Sequence, residues 1–225
     1  MKKTLLLLIF IVLISSSVFA DFQLDPSIGW FFNTDNYNGI KRSYNGLNTN
    51  ISLRYLFINR IGLFFGGDFK AWFSADNDEY IKQLQVAGMN AKAEDDIGCK
   101  IDLIAGLAVA FPITDKFGIQ SDLGVSYTVW ATESITGKVG YMGTTVNTGI
   151  FIDKISSWGG YASLFGKYLV MKNGYLTFGA RADYKFTREE SGEVITAGIS
   201  QKYSGKEDKF SGFSIAPFIG FMGSY

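Results

Sequence analysis

The sequence predicts an all-β protein, an eight-stranded antiparallel up-and-down transmembrane β-barrel preceded by a cleaved signal peptide. Three observations predict this fold: an export leader, segments in which bulky apolar residues alternate with small or polar ones, and connections that alternate between short and long. Such alternation is typical of strands with one face in lipid and the other in a lumen. We expect a signal peptide at residues 1–20 and one barrel domain at residues 21–225.

The leader has a basic start, an apolar run and a cleavage site. Lys2 and Lys3 precede the run Leu5 to Ile14, and Val18-Phe19-Ala20 is a cleavage site of the small-x-small type. A membrane anchor helix is the alternative, but the run is shorter than the roughly 20 residues that a spanning helix needs. Since Cys99 is the only cysteine and lies far from this site, we expect neither a lipid-modified N-terminus nor an internal disulfide.

The first four predicted strands each carry a continuous apolar face. They run from Gln23 to Asn33, from Leu47 to Phe57, from Ile61 to Ser74 and from Lys100 to Phe111. The second is the clearest, because every second residue is polar from Asn48 to Arg54. In chain order, the apolar faces are Leu24, Ile28, Trp30 and Phe32; Leu47, Thr49, Ile51, Leu53, Tyr55 and Phe57; Ile61, Leu63, Phe65, Phe69, Ala71 and Phe73; and Ile101, Leu103, Ala105, Leu107, Val109 and Phe111.

The last four predicted strands differ in clarity. They run from Phe117 to Val129, from Trp158 to Val170, from Leu176 to Phe186 and from Phe210 to Tyr225. The sixth is the weakest, because glycine and aromatic residues occur on both of its faces. The eighth ends on an aromatic residue, and we expect it to close the barrel against strand one during assembly. The outward residues that mark this C-terminal assembly strand include Phe213, Ile219, Phe221 and Tyr225.

The connections between the predicted strands alternate in length. Short ones lie near residues 59–60, 112–116 and 171–174, and long ones lie near residues 34–46, 75–98, 132–157 and 188–208. This asymmetry is typical of outer-membrane barrels, whose short turns face the periplasm. Alternation continues at Ile135 to Tyr141 and at Val194 to Ile199, so we expect hairpins there that project beyond the bilayer.

The turn between strands six and seven contains Asn173-Gly174, a strong hairpin signal. We expect a three-residue loop, Lys172 to Gly174, with the glycine in the left-handed conformation, because a two-residue loop would break the match between the lumen faces. The predicted register pairs Met171 with Tyr175, Val170 with Leu176, Ser163 with Asp183, and Tyr161 with Lys185.

A soluble lipocalin-like barrel, with its apolar face inward, is the alternative fold. Glycine would weaken its solvated outer face, whereas a narrow lumen needs small residues. Glycines occupy the polar face at Gly29, Gly62, Gly66, Gly106, Gly118, Gly124 and Gly179. Aromatic residues gather at both ends of the apolar faces, as lipid interfaces select. They are Phe57, Phe111, Phe117, Tyr168, Phe221 and Tyr225 on the turn side, and Trp30, Phe73, Tyr127, Trp158, Tyr184 and Phe213 on the loop side.

Composition limits the function classes. Basic and acidic residues number 21 each, so no basic surplus points to nucleic acid. The chain has no histidine, which removes Ser-His-Asp chemistry and the commonest general base and metal ligand. We therefore predict no enzyme, no catalytic residue, no cofactor and no metal site. A solvated acidic loop is favoured over weak cation binding at Asp76, Asp78, Glu79, Glu94, Asp95 and Asp96.

The polar face carries charges of both signs in nearly equal number. Eight strands enclose a space that side chains can fill, and an unpaired buried charge is costly, so we expect ion pairs to plug the lumen. A narrow polar conduit is the alternative, although a selective pore favours a ring of one sign. The predicted lumen ion-pair network is Arg54, Asp68, Lys70, Lys100, Asp102, Asp122, Arg181, Asp183 and Lys185, with Asp25 and Lys167 on the same face.

The leader, the strand pattern, the loop asymmetry and the terminal aromatic together resemble the small eight-stranded bacterial outer-membrane barrels. This group includes the OmpA transmembrane domain, OmpX, OmpW and opacity-type proteins. The resemblance covers residues 21–225 but rests on no specific motif. It implies the outer membrane of a Gram-negative-type envelope, with lipid and the barrel assembly machinery as partners.

Proteins of this group serve as channels, adhesins, defence proteins or enzymes. We predict a structural or surface-interaction, adhesin-like role, with a closed or nearly closed lumen and a host or surface ligand at the long loops. The alternative is a porin-like channel for a minor solute or an apolar compound. The loops favour the first role, because a simple conduit does not need so much loop.

Overall fold

Strands account for most of the computed structural model, which describes residues 21–37, 39–57, 60–76, 90–141, 144–206 and 209–225. The predicted signal peptide lies outside these residues. No helix long and apolar enough to cross a membrane occurs within the described ranges. The strands are β1 (Asp21–Tyr37), β2 (Ile40–Phe57), β3 (Ile61–Asp76), β4 (Asn90–Pro112), β5 (Phe117–Tyr141), β6 (Thr144–Met171), β7 (Gly174–Lys185), β8 (Glu189–Thr196), β9 (Ile199–Lys206) and β10 (Phe210–Ser224).

Eight of these strands close into a ring. β1 pairs with β2 on one side and with β10 on the other, where Ile28 lies opposite Thr49 and Ile219 respectively. β5 pairs with β6, which places Leu123 opposite Ala162 and gives the ring order β1-β2-β3-β4-β5-β6-β7-β10. Each of these neighbouring pairs is antiparallel, so the predicted eight-stranded up-and-down barrel is confirmed.

Side chains alternate between the lumen and the exterior. On β5, Asp122 is fully buried while the next residue, Leu123, is 59% exposed. On β6, Ser163 is buried while Leu164 is 60% exposed. A polar interior and an apolar exterior is the arrangement of a barrel in lipid, and it excludes the soluble alternative.

Exposed aromatic residues mark the two edges of the apolar exterior, which we call the apolar band. At the end of the barrel with the short connections, the turn end, they include Phe111, Tyr168, Phe221 and Tyr225. At the opposite end, the loop end, they include Trp30, Phe73, Trp158, Tyr184 and Phe213. Aromatic side chains with both apolar and polar parts are favoured at lipid–water interfaces.

The strands run farther at the loop end than the sequence pattern predicts. β5 and β6 continue well past the apolar band, and the hairpin expected at Ile135 to Tyr141 is present as their outer part. Residues 34–37 and 40–46 likewise extend β1 and β2. The predicted hairpin at Val194 to Ile199 is present as β8 and β9, which turn at Ala197 and Gly198 with φ of 54° and 79°. Backbone pairing does not depend on an apolar face in lipid, so it continues beyond the band, where the apolar alternation is weaker.

The turn between β6 and β7 differs from the prediction. Met171 pairs with Gly174 across a two-residue turn, Lys172-Asn173, and Gly174 is not among the residues with positive φ. The pairing then jumps to Leu169, which leaves Val170 in a β-bulge. The shorter loop shifts the pairing by one residue and the bulge shifts it by one more in the same direction, so the lumen faces of β6 and β7 still match.

The predicted register between these two strands is therefore wrong by two residues. Tyr161 lies opposite Asp183, and Ser163 lies opposite Arg181. All four side chains are buried, as the predicted lumen face requires.

Candidate functional site

The lumen is crossed near its turn end by ion pairs of Arg54, on β2. Its guanidinium donates to both carboxylate oxygens of Asp122 on β5, with Nη2–Oδ2 at 2.7 Å and Nε–Oδ1 at 3.1 Å. It also donates through Nη1 to Asp25 on β1, at 3.0 Å. β2 and β5 are not neighbours in the ring, so this bidentate pair ties together walls that the backbone does not join.

A second group of ion pairs lies farther toward the loop end. Lys70 Nζ, on β3, lies 3.3 Å from Asp68, 3.6 Å from Asp183 on β7 and 3.8 Å from Asp102 on β4. Lys185 Nζ lies 3.0 Å from Asp102 and 3.7 Å from Asp183. Asp102 and Asp183 are therefore shared between two lysines that approach from opposite walls of the barrel.

Arg181 of β7 completes this second group. Its Nη1 donates to Asp68 at 3.2 Å, and its Nη2 donates to the hydroxyl of Ser27 at 2.6 Å. Asp183 also accepts a hydrogen bond of 2.5 Å from Ser126. The group thus joins β1, β3, β4, β5 and β7.

All residues of the predicted lumen network are buried, but they do not form one continuous set of ion pairs. Asp122 pairs with Arg54, apart from the group around Lys70. Lys100 is buried but makes none of the direct ion pairs described above. Lys167, predicted on the same face, is only partly buried and lies 5.1 Å from the centre of the Tyr175 ring.

Aromatic side chains also fill the lumen, which the alternation pattern did not predict. Phe165 and Phe218 pack with their rings 5.9 Å apart. Arg54 lies 4.8 Å from the centre of the Phe165 ring, and Arg181 lies 4.1 Å from the centre of the Phe218 ring. These lumen aromatics could have been found in the sequence, because each interrupts the small-residue face of its strand, as Phe218 does in the last strand.

A second aromatic group, formed by Phe31, Tyr44 and Trp72, lies closer to the loop end. The ring centres of Tyr44 and Trp72 are 4.7 Å apart, and Phe31 meets both rings edge-on. All three side chains are buried together with Ala216. The lumen is therefore filled by aromatic groups as well as by charges.

Beyond the apolar band, a further ion-paired cluster ties the strands together. Arg42 of β2 binds Asp96 at 2.5 Å and Glu133 at 2.8 Å. Arg188 binds the same Glu133 at 3.4 Å and Glu190 at 2.7 Å. We call this cluster of Arg42, Asp96, Glu133, Arg188 and Glu190 the loop-end cap.

The sequence reasoning missed the loop-end cap because it placed these residues in loops. The sequence predicts a solvated Asp96, but this residue is buried and bound to Arg42 and to the indole of Trp72. Asp78 and Glu79 of that group lie outside the described residues. Arg42 has the same parity on β2 as Arg54, so extending the alternation upstream would have found it.

Glu133 is the centre of the loop-end cap. Burial alone would raise its pKa, but the guanidiniums of Arg42 and Arg188 outweigh burial and lower its pKa to about 2. Burial would likewise lower the pKa of Arg42, yet Glu133 and Asp96 raise it well above its usual value. The ion pair between Arg42 and Glu133 is therefore charged across the whole physiological pH range.

The chemistry available at these clusters is mutual neutralisation of fixed charges. Within the described ranges, no group of three or more His, Cys, Asp or Glu side chains is suited to holding a metal ion. The C-terminal assembly residues Phe213, Ile219, Phe221 and Tyr225 instead lie on the exterior. The last of them, Tyr225, exchanges backbone hydrogen bonds of 2.8 and 3.1 Å with Phe22, where the end of the chain meets β1.

Solved structures of membrane barrels resemble this chain in fold. A major outer membrane protein from Thermus thermophilus matches with a TM-score of 0.53 at 13% identity, over 92% of this chain and 99% of that one. The fold is that of an outer-membrane β-barrel. OprG from Pseudomonas aeruginosa gives a TM-score of 0.48 at 12% identity, over 92% and 96% of the two chains. Neisserial surface protein A gives 0.46 at 16%, over 92% and 97%.

No protein-family model matches the sequence, and no curated protein matches it. The solved Thermus thermophilus structure nevertheless confirms the predicted class, small outer-membrane β-barrels, at the level of the fold. The apolar band and the closed ring are those of an outer-membrane protein, which is the location that the sequence predicts.

Proposed function

We propose that this protein is a closed outer-membrane barrel whose function lies in surface interaction at its loop end, an adhesin-like role. The observation that carries the proposal is the projecting sheet, which consists of β8, β9 and the parts of β4, β5 and β6 beyond the apolar band. Ion pairs and aromatic rings fill the lumen beneath it. We take the short turns to face the periplasm and the projecting sheet to face outward.

The projecting sheet ends in a strand that suits contact with a partner. β9 is the last strand of its sheet in the described part of the chain, and seven of its eight residues are exposed. Glu189 and Glu193 of β8 lie opposite Lys206 and Lys202 of β9, which places charges of both signs on one hairpin. Lysine on an edge strand discourages uncontrolled strand pairing but leaves room for charged contacts.

The proposed role is non-enzymatic, and it leaves the channel as the alternative. The chain has no histidine, and its buried carboxylates are bound to arginine or lysine. These pairs support a structural role for the lumen. A channel for a minor solute or an apolar compound would instead need a path that the ion pairs do not block.

Shortening the β8–β9 hairpin tests the proposal. Because Glu193 and Lys202 are partners, replacing residues 194–201 with Asn-Gly leaves a two-residue turn between them. We expect cells that display the wild type to adhere to host-cell monolayers or matrix proteins, and the shortened variant to lose most of this adhesion at equal surface level. The control changes Asp115 and Lys116 to alanine at the turn end and retains adhesion. Wild-type adhesion no higher than that of cells without the protein would reject the role.

A further inference from the structure

The exterior wall formed by β1 to β4 has a groove near the turn end of the barrel. Its volume is about 560 Å³, within the range of about 300–1,000 Å³ that is usual for ligand pockets. The bulky exterior residues that line it are Phe22, Leu53, Tyr55, Leu63, Phe65 and Leu107. The groove is therefore an apolar recess in a surface that contacts lipid.

A small residue among large ones makes room for this groove. In the register of the sheet, Phe65 of β3 lies opposite Ala105 of β4, and Ala105 lies opposite Val125 of β5. Ala105 and Gly106 both line the groove, and a larger residue in place of Ala105 would fill it beside Phe65. Polar groups are costly at this depth in a bilayer, so the matching occupant is a hydrocarbon chain.

An exposed arginine, Arg60, lies at the turn end of the same wall, between β2 and β3. Its N–H donates to the Phe57 carbonyl at 3.3 Å, and its own carbonyl accepts from the Ala110 N–H at 2.6 Å, so its backbone is fixed against β4. Its guanidinium makes no ion pair within the described ranges of the chain. Because Arg60 precedes Leu63 by three residues, it lies roughly 10 Å along the strand from the groove.

Positive charge predominates at this end of the barrel. In the described residues of the short connections, the charged side chains are Arg60, Asp115, Lys116 and Lys172. A guanidinium suits phosphate, because its planar N–H groups donate to two oxygens together. We propose that Arg60 and the groove form a site for one anionic phospholipid, whose phosphate binds Arg60 and whose acyl chain lies against Phe65 and Ala105. The site is separate from the projecting sheet, which lies at the opposite end.

Native mass spectrometry of the protein in detergent, supplied with phosphatidylglycerol, tests this site. The wild type should retain one lipid per barrel. Arg60→Glu should retain it several-fold less, because the phosphate loses its partner, and Ala105→Trp should do the same, because the indole fills the groove. The matched controls are Lys172→Glu, at a turn away from the groove, and Ala182→Trp, on the exterior of β7, and both should retain the lipid.

Circular dichroism checks that each variant is folded, and Arg60→Glu, in an exposed turn, keeps the test valid if Ala105→Trp does not fold. A wild type that retains no phosphatidylglycerol would overturn the proposal, and so would an Arg60→Glu variant that retains as much as the wild type. Equal losses in the control variants would mean that lipid contact is spread over the whole barrel, which also overturns it.

Discussion

At the scale of single residues, arginine and lysine are stabilised differently inside this barrel. Arg54 binds Asp122 through two N–H groups and lies against the Phe165 ring, and Arg181 combines Asp68 with the Phe218 ring. A planar guanidinium can satisfy a carboxylate along its edge while its face meets an aromatic ring. Lysine offers only a compact charge, so the two residue types are not interchangeable here.

Replacing Arg54 with lysine should lower the free energy of unfolding by roughly 2 kcal/mol, because the bidentate bond to Asp122 and the contact with Phe165 are lost. Urea titrations of refolded protein in detergent or lipid measure this difference. Lys167→Arg, on the same face but outside the direct ion pairs, serves as the control and should change little. Equal unfolding free energies for Arg54→Lys and the wild type would contradict the assigned role of Arg54.

Exterior residues of the apolar band should reject charge. Leu123 is 59% exposed on the lipid-facing side of β5, so Leu123→Arg should cost about 2–4 kcal/mol. Ser134 lies on the same strand beyond the band, and Ser134→Arg should cost far less because its side chain meets water. Refolding titrations in lipid vesicles compare the two variants. A harmless Leu123→Arg would mean that this face does not contact lipid.

The loop-end cap should respond to acid through Glu133. The pKa of Glu133 is about 2 in the folded protein against an ordinary value of 4.5, so its ion pairs with Arg42 and Arg188 stabilise the fold above about pH 4.5. That contribution is lost as the pH falls through 2. Asp35 and Asp96 lie in the same network and remain in both the wild type and a Glu133 variant.

Comparing the wild type with Glu133→Gln isolates this effect. The variant should be less stable at neutral pH, by an amount that stays constant down to about pH 5 and shrinks between about pH 4.5 and 2. Urea titrations at a series of pH values give the two curves. A stability difference that does not change with pH over this acidic range would contradict the assigned ion pairs of Glu133.

At the scale of elements, the sequence pattern predicts a strand where one of its faces contacts lipid and the other face contacts a packed lumen. Leu53 and Leu123 alternate with buried Ser52 and Asp122, so period two located β2 and β5. Beyond the band the alternation predicted the hairpin at Ile135 to Tyr141, but it did not show that β5 and β6 continue into this hairpin without a break. The bulge at Val170 left no signal, because a bulge depends on backbone pairing and not on side-chain type.

β10 should be required for assembly, because it closes the ring against β1. Deleting Phe221 to Tyr225 removes the pairing of Gln23 and Leu24 with Ser224 and Gly223, and leaves unpaired backbone groups in contact with lipid. We expect the surface level of this truncated protein to fall to background, measured by antibody labelling of intact cells. The variant with the shortened β8–β9 hairpin should assemble normally. Wild-type surface levels of the truncation would contradict this role for β10.

At the scale of the whole molecule, successive groups of side chains cross the lumen. Arg54 and its carboxylates come first from the turn end. The second group of ion pairs, formed around Lys70 and called the Lys70 group, follows. The aromatic group around Trp72 and the loop-end cap come next, and the indole of Trp72 donates to Asp96 at 3.3 Å. Each group spans walls of the barrel that are not neighbours, so we expect the interior both to stabilise the ring and to block ions.

Conductance across a planar lipid bilayer tests the closed lumen most directly. The wild type should show no current or only rare small openings. Arg181→Ala should open more often, because it leaves Asp68 short of a partner in the Lys70 group. Lys167→Ala, which breaks none of the direct ion pairs described here, should behave like the wild type. Large, steady, ohmic channels in the wild type would contradict the closed lumen and favour a transport function.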